Sequence, residues 1–115
     1  MDIRPTTAAD RRAYRDIRLR ALADAPNAFR STLEREVAFD DSIWHDRASS
    51  GNTVLACDGD KALGTATLID DRHEAGGKEV VAMWVDPDHR RAGVASALLE
   101  QLRGDVRVPD ALFAG

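Results

Sequence analysis

Apolar residues recur at spacings of three and four through Tyr14, Ile17, Ala21 and Ala25, which predicts an amphipathic helix with Arg11, Arg15 and Arg18 on its outer face. "TAAD", Thr7 to Asp10, has the form of a capping box that opens this helix, and Pro26 and Asn27 end it. Ahead of it "MDIRP" reads as a short strand stopped by Pro5. Ser31 offers a second cap, and "DDSIWHDRAS" reads as a shorter helix with Ile43 and Trp44 turned inward. The period then changes. Thr53 to Cys57 and Ala62 to Ile69 are β-rich runs flanking "DGD", a hairpin signal. "RHEAGGK" is a polar loop with Gly76-Gly77 at its tip, and "EVVAMWV" is a strand apolar on both faces, as expected of a central one. Helical spacing returns from Gly93 to Arg103, with Val94, Ala97, Leu98 and Leu102 on the buried side and Gly104 as the stop.

The order is strand, two helices, strands in direct succession, then a strand that turns into a helix. Such an order is α+β, a mixed three-layer α/β/α domain with a mostly antiparallel sheet, and not a doubly wound βαβ sheet. One domain over residues 1–115 is expected from the length. Hydrophobic residues make up 43% of the chain and charged ones 31%, ordinary for a globular protein with a core. A single cysteine, Cys57, forbids an internal disulfide and fits a reducing compartment. No apolar run is long enough to cross a bilayer and "MDIRPTTAAD" lacks a signal-peptide core, so the reading is a cytoplasmic chain without a membrane partner. The net charge of −4 argues against nucleic acid as a partner.

The chemistry concentrates in "VDPDHRRAGVASALLEQL", Val85 to Leu102, where Pro87, Arg90, Arg91 and Gly93 form a tight corner ahead of an apolar helix. A strand feeding a glycine turn and a helix N-terminus is a physical recipe for holding phosphate, because the first-turn N–H groups lack helical partners and the helix dipole is positive there. Gly93 admits a ligand close to the backbone, Ala92 and Ala95 keep the floor low, and Arg90 and Arg91 add charge that suits a pyrophosphate. The corner is neither a Walker A loop nor a Rossmann fingerprint.

Arg90-Arg91-Ala92-Gly93-Val94-Ala95 resembles the Gln/Arg-x-x-Gly-x-Gly/Ala loop of the GCN5-related N-acetyltransferases, and "MWVDPDHRRAGVASALLE" is similar to that family's strand 4, loop and helix 3. The resemblance implies an acyl-CoA N-acyltransferase-like fold and acetyl transfer from acetyl-CoA to a primary amine, on a small molecule or a peptide. It also implies that the amides of Arg91, Ala92, Gly93, Val94, Ala95 and Ser96 hold the pyrophosphate, with Arg90 beside them. Met83, Trp84 and Val85 would offer backbone partners to the pantetheine arm, as a strand edge does to any extended amide chain.

In the Gcn5-type histone acetyltransferases of this family a glutamate at the start of strand 4 serves as general base, and its offset from the phosphate loop matches the interval from Glu79 to Arg90; the alternative is that Glu79 only starts the strand at its solvated end. On an unbroken strand Glu79 would share a face with Val81, Met83 and Val85, and entry into apolar surroundings would raise its pKa. His45, His73 and His89 show no metal-ligand spacing, so no metal is expected. Cys57 reads as a buried, inert thiol, and Arg18 as a solvated arginine, with a place lining the acceptor side as its alternative. After the helix the chain reads "RGDVRVPDALFAG", without the strands, the further helix and the acid tyrosine of the family's pattern; Tyr14, the only tyrosine, does not match that place. Strand 4 is then expected as an exposed apolar edge, to be covered by "DALFAG" folding back, by a second copy in a homodimer or by another polypeptide. The alternative function is a truncated remnant or CoA-binding module without turnover.

Overall fold

Residues 1–29, 31–70 and 78–105 are described by the computed structural model. Four strands, β1 (Asp2–Pro5), β2 (Thr53–Asp58), β3 (Lys61–Asp70) and β4 (Lys78–Val85), form one antiparallel sheet in the order β1-β2-β3-β4. Helices α1 (Arg11–Asp24), α2 (Leu33–Val37) and α3 (Asp41–Ser49) precede β2, and α4 (Val94–Asp105) follows β4. The sheet buries both faces. On one, Ala56, Ala66, Leu68 and Val85 pack with Val94, Leu98 and Leu102 of α4. On the other, Leu55, Cys57 and Trp84 pack with Ile17 and Ala21 of α1, and Tyr14 joins Trp44 and Ala48 of α3 in a third cluster. The three layers follow from the alternation of apolar side chains across the pleat.

Local signals were read with some displacement. The Thr7–Asp10 capping box is present, Thr7 N–H donating to Asp10 Oδ2 at 2.9 Å, but it caps a 3₁₀ turn over Ala8–Asp10 ahead of α1. The cap of α2 is Thr32, whose hydroxyl accepts from Arg35 N–H at 3.2 Å, one residue after Ser31. Ile43 is 37% exposed, against the expectation that it turns inward; Trp44 alone of that pair is buried, because α3 offers only a narrow stripe to α1. Helix α4 runs through Gly104 to Asp105, so that glycine does not stop it. The glycine pair at 76–77 and the segment after Asp105 lie outside the described residues.

Two corrections concern β4. It is the last strand of the described sheet and not a central one; both its faces are apolar because helices cover both, not because strands flank it. Its register against β3 also shifts, from Val81 opposite Thr67 to Trp84 opposite Thr65, so Ala82 and Met83 together face Ala66. This is a β-bulge, and it reverses side-chain parity. Val80, Met83 and Val85 therefore face α4, while Val81 and Trp84 face α1. Glu79 lies on the face of Val81 and not on that of Met83 and Val85.

Helix α4 is seated on Gly64 of β3. A Cβ there would lie 2.8 Å from Val94 Cγ1 and 3.1 Å from Leu98 Cδ1, both on buried side chains. Gly64→Ala is expected to cost about 1–3 kcal/mol by overpacking, read as a lower urea midpoint. A neutral result would mean that α4 sits further from β3 than described. Among the described residues no helix is long and apolar enough to cross a membrane.

Candidate functional site

The path from β4 to α4 is fixed at both ends. Asp86 N–H donates to Leu63 O of β3 at 2.8 Å, holding the strand end to the sheet. The Asp86 carboxylate accepts from Asp88 N–H at 2.9 Å, capping a 3₁₀ turn over Pro87–His89, and it also accepts from Arg20 of α1. The Asp88 N–H, together with Arg20 and His89, holds Asp86 below the usual carboxylate range despite its burial.

Beyond this turn Arg91 (φ 68°) and Gly93 (φ 82°) both take left-handed backbone. An arginine there is uncommon and a glycine natural, since only glycine lacks the Cβ that this region crowds. Nothing lies within 4 Å of the position a Gly93 Cβ would occupy. The first helical bond of α4 runs from Ala97 N–H to Gly93 O at 3.0 Å, so the N–H groups just before Ala97 have no intrahelical acceptor.

These groups open onto a groove of about 480 Å³ whose walls are Met83, Trp84 and Val85 on one side and Arg90, Arg91 and Gly93 to Ser96 on the other, with His89 at its edge. The residues expected to contact acetyl-CoA thus come together around one space, with Ala92 within the same turn. Arg90 behaves differently from the expectation of two arginines aimed at phosphate. Its Nε donates to Val85 O at 3.1 Å and its Nη2 to Asp24 Oδ2 at 3.0 Å, so its guanidinium braces the corner while the residue lines the groove. Arg91 makes no ion pair among the described residues and is exposed.

Asp24, at the end of α1, also accepts from the Trp84 indole N–H at 2.9 Å, and Arg20 lies over the same ring with its guanidinium carbon 5.5 Å from the centroid. The Trp84 bond, with Arg90 in support, keeps Asp24 below the usual carboxylate range. One helix end therefore pins both the strand and the loop that border the groove.

The groove runs up β4 to its bulge, where Ala82 is held at φ 54°. A bulge leaves a strand residue without its ladder bond, a place where backbone N–H groups become available to a ligand. Among the described residues no strand pairs with the outer edge of β4, so every second residue presents N–H and C=O there. Glu79, opposite Ile69 and partly buried, enters the sheet just before the bulge and on the α1 face.

Residues 15–107 match the profile of the Acetyltransferase (GNAT) family. The chain belongs to that family. The chain is similar in fold to a diaminobutyrate acetyltransferase from Paenibacillus lautus solved with L-2,4-diaminobutyric acid and coenzyme A, at 15% identity and a TM-score of 0.62, over 89% of this chain and 55% of that one. It is also similar to a ribosomal-protein-alanine N-acetyltransferase from Brucella melitensis, at 23% identity and a TM-score of 0.64, over 93% of this chain and 67% of that one. An aminoglycoside acetyltransferase from an uncultured soil metagenomic sample, solved with sisomicin, matches at 15% identity and a TM-score of 0.60, over 90% of this chain and 68% of that one. The chain spans little more than half of the first of these structures. No curated protein matches it.

Several residues around the groove escaped the sequence. Asp24, Arg20 and Asp86 act across 60 or 66 positions, from α1 to the strand end, and no periodicity links them. Arg18 is not solvated: its Nε and Nη2 meet the two carboxylate oxygens of Glu36 at 2.9 and 3.0 Å, and Arg47 Nη1 adds a third bond at 3.1 Å. Among the described residues no group of His, Cys, Asp and Glu is placed to hold a metal ion.

Proposed function

We propose that this acetyltransferase is a cytoplasmic enzyme that transfers the acetyl group of acetyl-CoA to a primary amine. The observation that carries the reading is the single continuous groove from the open glycine corner at Gly93 along β4 to the bulge at Ala82–Met83. The corner suits a diphosphate: unpartnered N–H groups, the positive end of α4 and the Arg91 guanidinium converge on a space with no side chain in the way. The outer edge of β4 suits an arm that carries amides, since both alternate donors and acceptors.

With the phosphates anchored at the corner, the thioester would lie near the bulge, whose N–H groups would stabilise the oxyanion. The amine nitrogen attacks the carbonyl carbon, a C–N bond forms and the C–S bond breaks. The amine's proton passes to Glu79, directly or through one water, and the leaving thiolate takes a proton from solvent, giving an N-acetyl amine and CoA. Glu79→Gln is expected to lower kcat by about a hundredfold or more while leaving CoA affinity unchanged, in a thiol-release assay over a panel of amines. Equal rates would remove Glu79 from the mechanism.

A second reading, a CoA-binding module without turnover, draws on the outer edge of β4, with which no strand pairs among the described residues. CoA binding without thiol release from any amine would favour it. A second copy paired along that edge would occupy the donors and acceptors the pantetheine needs, so an edge-to-edge homodimer and acetyl-CoA compete for one surface.

A further inference from the structure

On the α1 face of the sheet a second groove, of about 450 Å³, ends at the same bulge: Ala82 lines it, while the adjacent Met83 lines the first. Its walls are Tyr14 and Arg18 of α1 and Asp46 and Arg47 of α3, with Val81 on its floor. The face of β4 that carries Val81 also carries Glu79, so a molecule in this groove approaches the bulge from the side of the proposed base.

The charge of the groove comes from an uneven cluster. Glu36 is fully buried and a single carboxylate serves both Arg18 and Arg47. One positive charge is left over. Arg18 is the inner member, its side chain 13% exposed and bound through both Nε and Nη2. Arg47 is the outer member, 35% exposed and bound to Glu36 through Nη1 alone. Its Nε and Nη2 make no hydrogen bond among the described residues, and its guanidinium carbon lies 4.8 Å from the Phe39 ring centroid and 5.6 Å from that of Trp44. Packing against two rings and a buried carboxylate fixes the guanidinium of a residue that lines the groove. Asp46, the acid on the same wall, is 83% exposed beside His45 and is screened by water.

We infer that this groove takes an amine that also carries a carboxylate, the carboxylate on Arg47 and the amino group at the bulge; the inference rests on acetyl-CoA occupying the first groove. A planar guanidinium with two adjacent free N–H groups matches a carboxylate bidentately, and holding it in place beforehand reduces the entropy lost on binding. An acceptor with only cationic groups meets the leftover positive charge and gains no such bond. Amino acids and chain ends of that kind are therefore favoured over polyamines and aminoglycosides.

The test compares amines that differ only in the carboxylate: 2,4-diaminobutyrate with 1,3-diaminopropane, lysine with cadaverine, and alanine with ethylamine. Each is titrated calorimetrically into the full chain saturated with CoA, a complex in which no turnover occurs. The carboxylated member of at least one pair is expected to bind about tenfold tighter or more. Arg47→Gln should erase that preference without changing CoA affinity, and Arg47→Lys should keep part of it. Equal affinity within all three pairs overturns the inference on the wild-type protein alone, as does a preference that survives Arg47→Gln. Absence of the preference in the wild-type chain with CoA still bound sinks this inference only; absence of CoA binding sinks the acetyl-CoA reading and this inference with it.

Discussion

Gly93→Glu should weaken CoA binding by at least about a hundredfold. Two costs add. At φ 82° any Cβ is strained, by about 1–2 kcal/mol. The open space around that position lets the new carboxylate project into the groove, where it would face a diphosphate, and a like charge set against a ligand charge costs several kcal/mol. Gly93→Ala separates the two costs and should lose about tenfold or less. Titration calorimetry reads both variants, and thermal unfolding checks that the corner still folds. An unchanged Kd for Gly93→Glu would mean that no diphosphate sits at the corner.

Glu36→Gln should be the most damaging single substitution for stability. The carboxylate is fully buried and holds Arg18 and Arg47 together between α1, α2 and α3. An amide of the same shape leaves two guanidiniums without a counter-charge, and breaking a buried pair in this way costs about 3–5 kcal/mol. For a domain of this size that lowers Tm by more than about 10 °C. Burial alone pushes the Glu36 carboxyl up, but hydrogen bonding from Arg18 and the two guanidinium charges outweigh it, and the net shift is downward from 4.5. A carboxyl with a depressed folded pKa stabilises fully above its unfolded pKa and loses that stability as pH falls through its folded value. The wild type should therefore lose stability below about pH 4.5 through this group, while Glu36→Gln shows a flatter acid limb. A variant that melts within a degree or two of wild type would show that the triad contributes nothing.

The corner was legible because its signals are local. Pro87, the arginines, Gly93 and the Leu-rich helix stand within a few residues of one another, and the positive φ of Gly93 is what a glycine between a strand and a helix is for. The succession of strands and helices and the two helical layers were legible for a similar reason, since period two and period 3.6 each announce a buried face, whereas the place of β4 at the end of the described sheet was not. What escaped depends on distance along the chain or on an interruption of period. The bulge at Ala82–Met83 has no glycine to mark it, so strict alternation put Glu79 on the wrong side of Met83 and Val85. Asp24 looks like an ordinary acidic residue at a helix end until Trp84 and Arg90 arrive from 60 and 66 positions away. Arg18 looks solvated until α2 brings Glu36 beneath it. Arg90 bonds Val85 O and Asp24 while Arg91 makes no ion pair among the described residues, a difference that two adjacent arginines in a sequence do not reveal.

The most direct measurement is a two-dimensional amide spectrum of isotope-labelled protein during titration with CoA. The main-chain N–H signals of Arg91 to Ser96 should move most, followed by those of Met83 to Val85 along the outer edge of β4, and α1 should move only near Asp24. If CoA leaves the signals of Arg91 to Ser96 in place, or moves only residues away from the groove, the glycine corner does not hold the diphosphate and the acetyl-CoA reading of this chain is wrong.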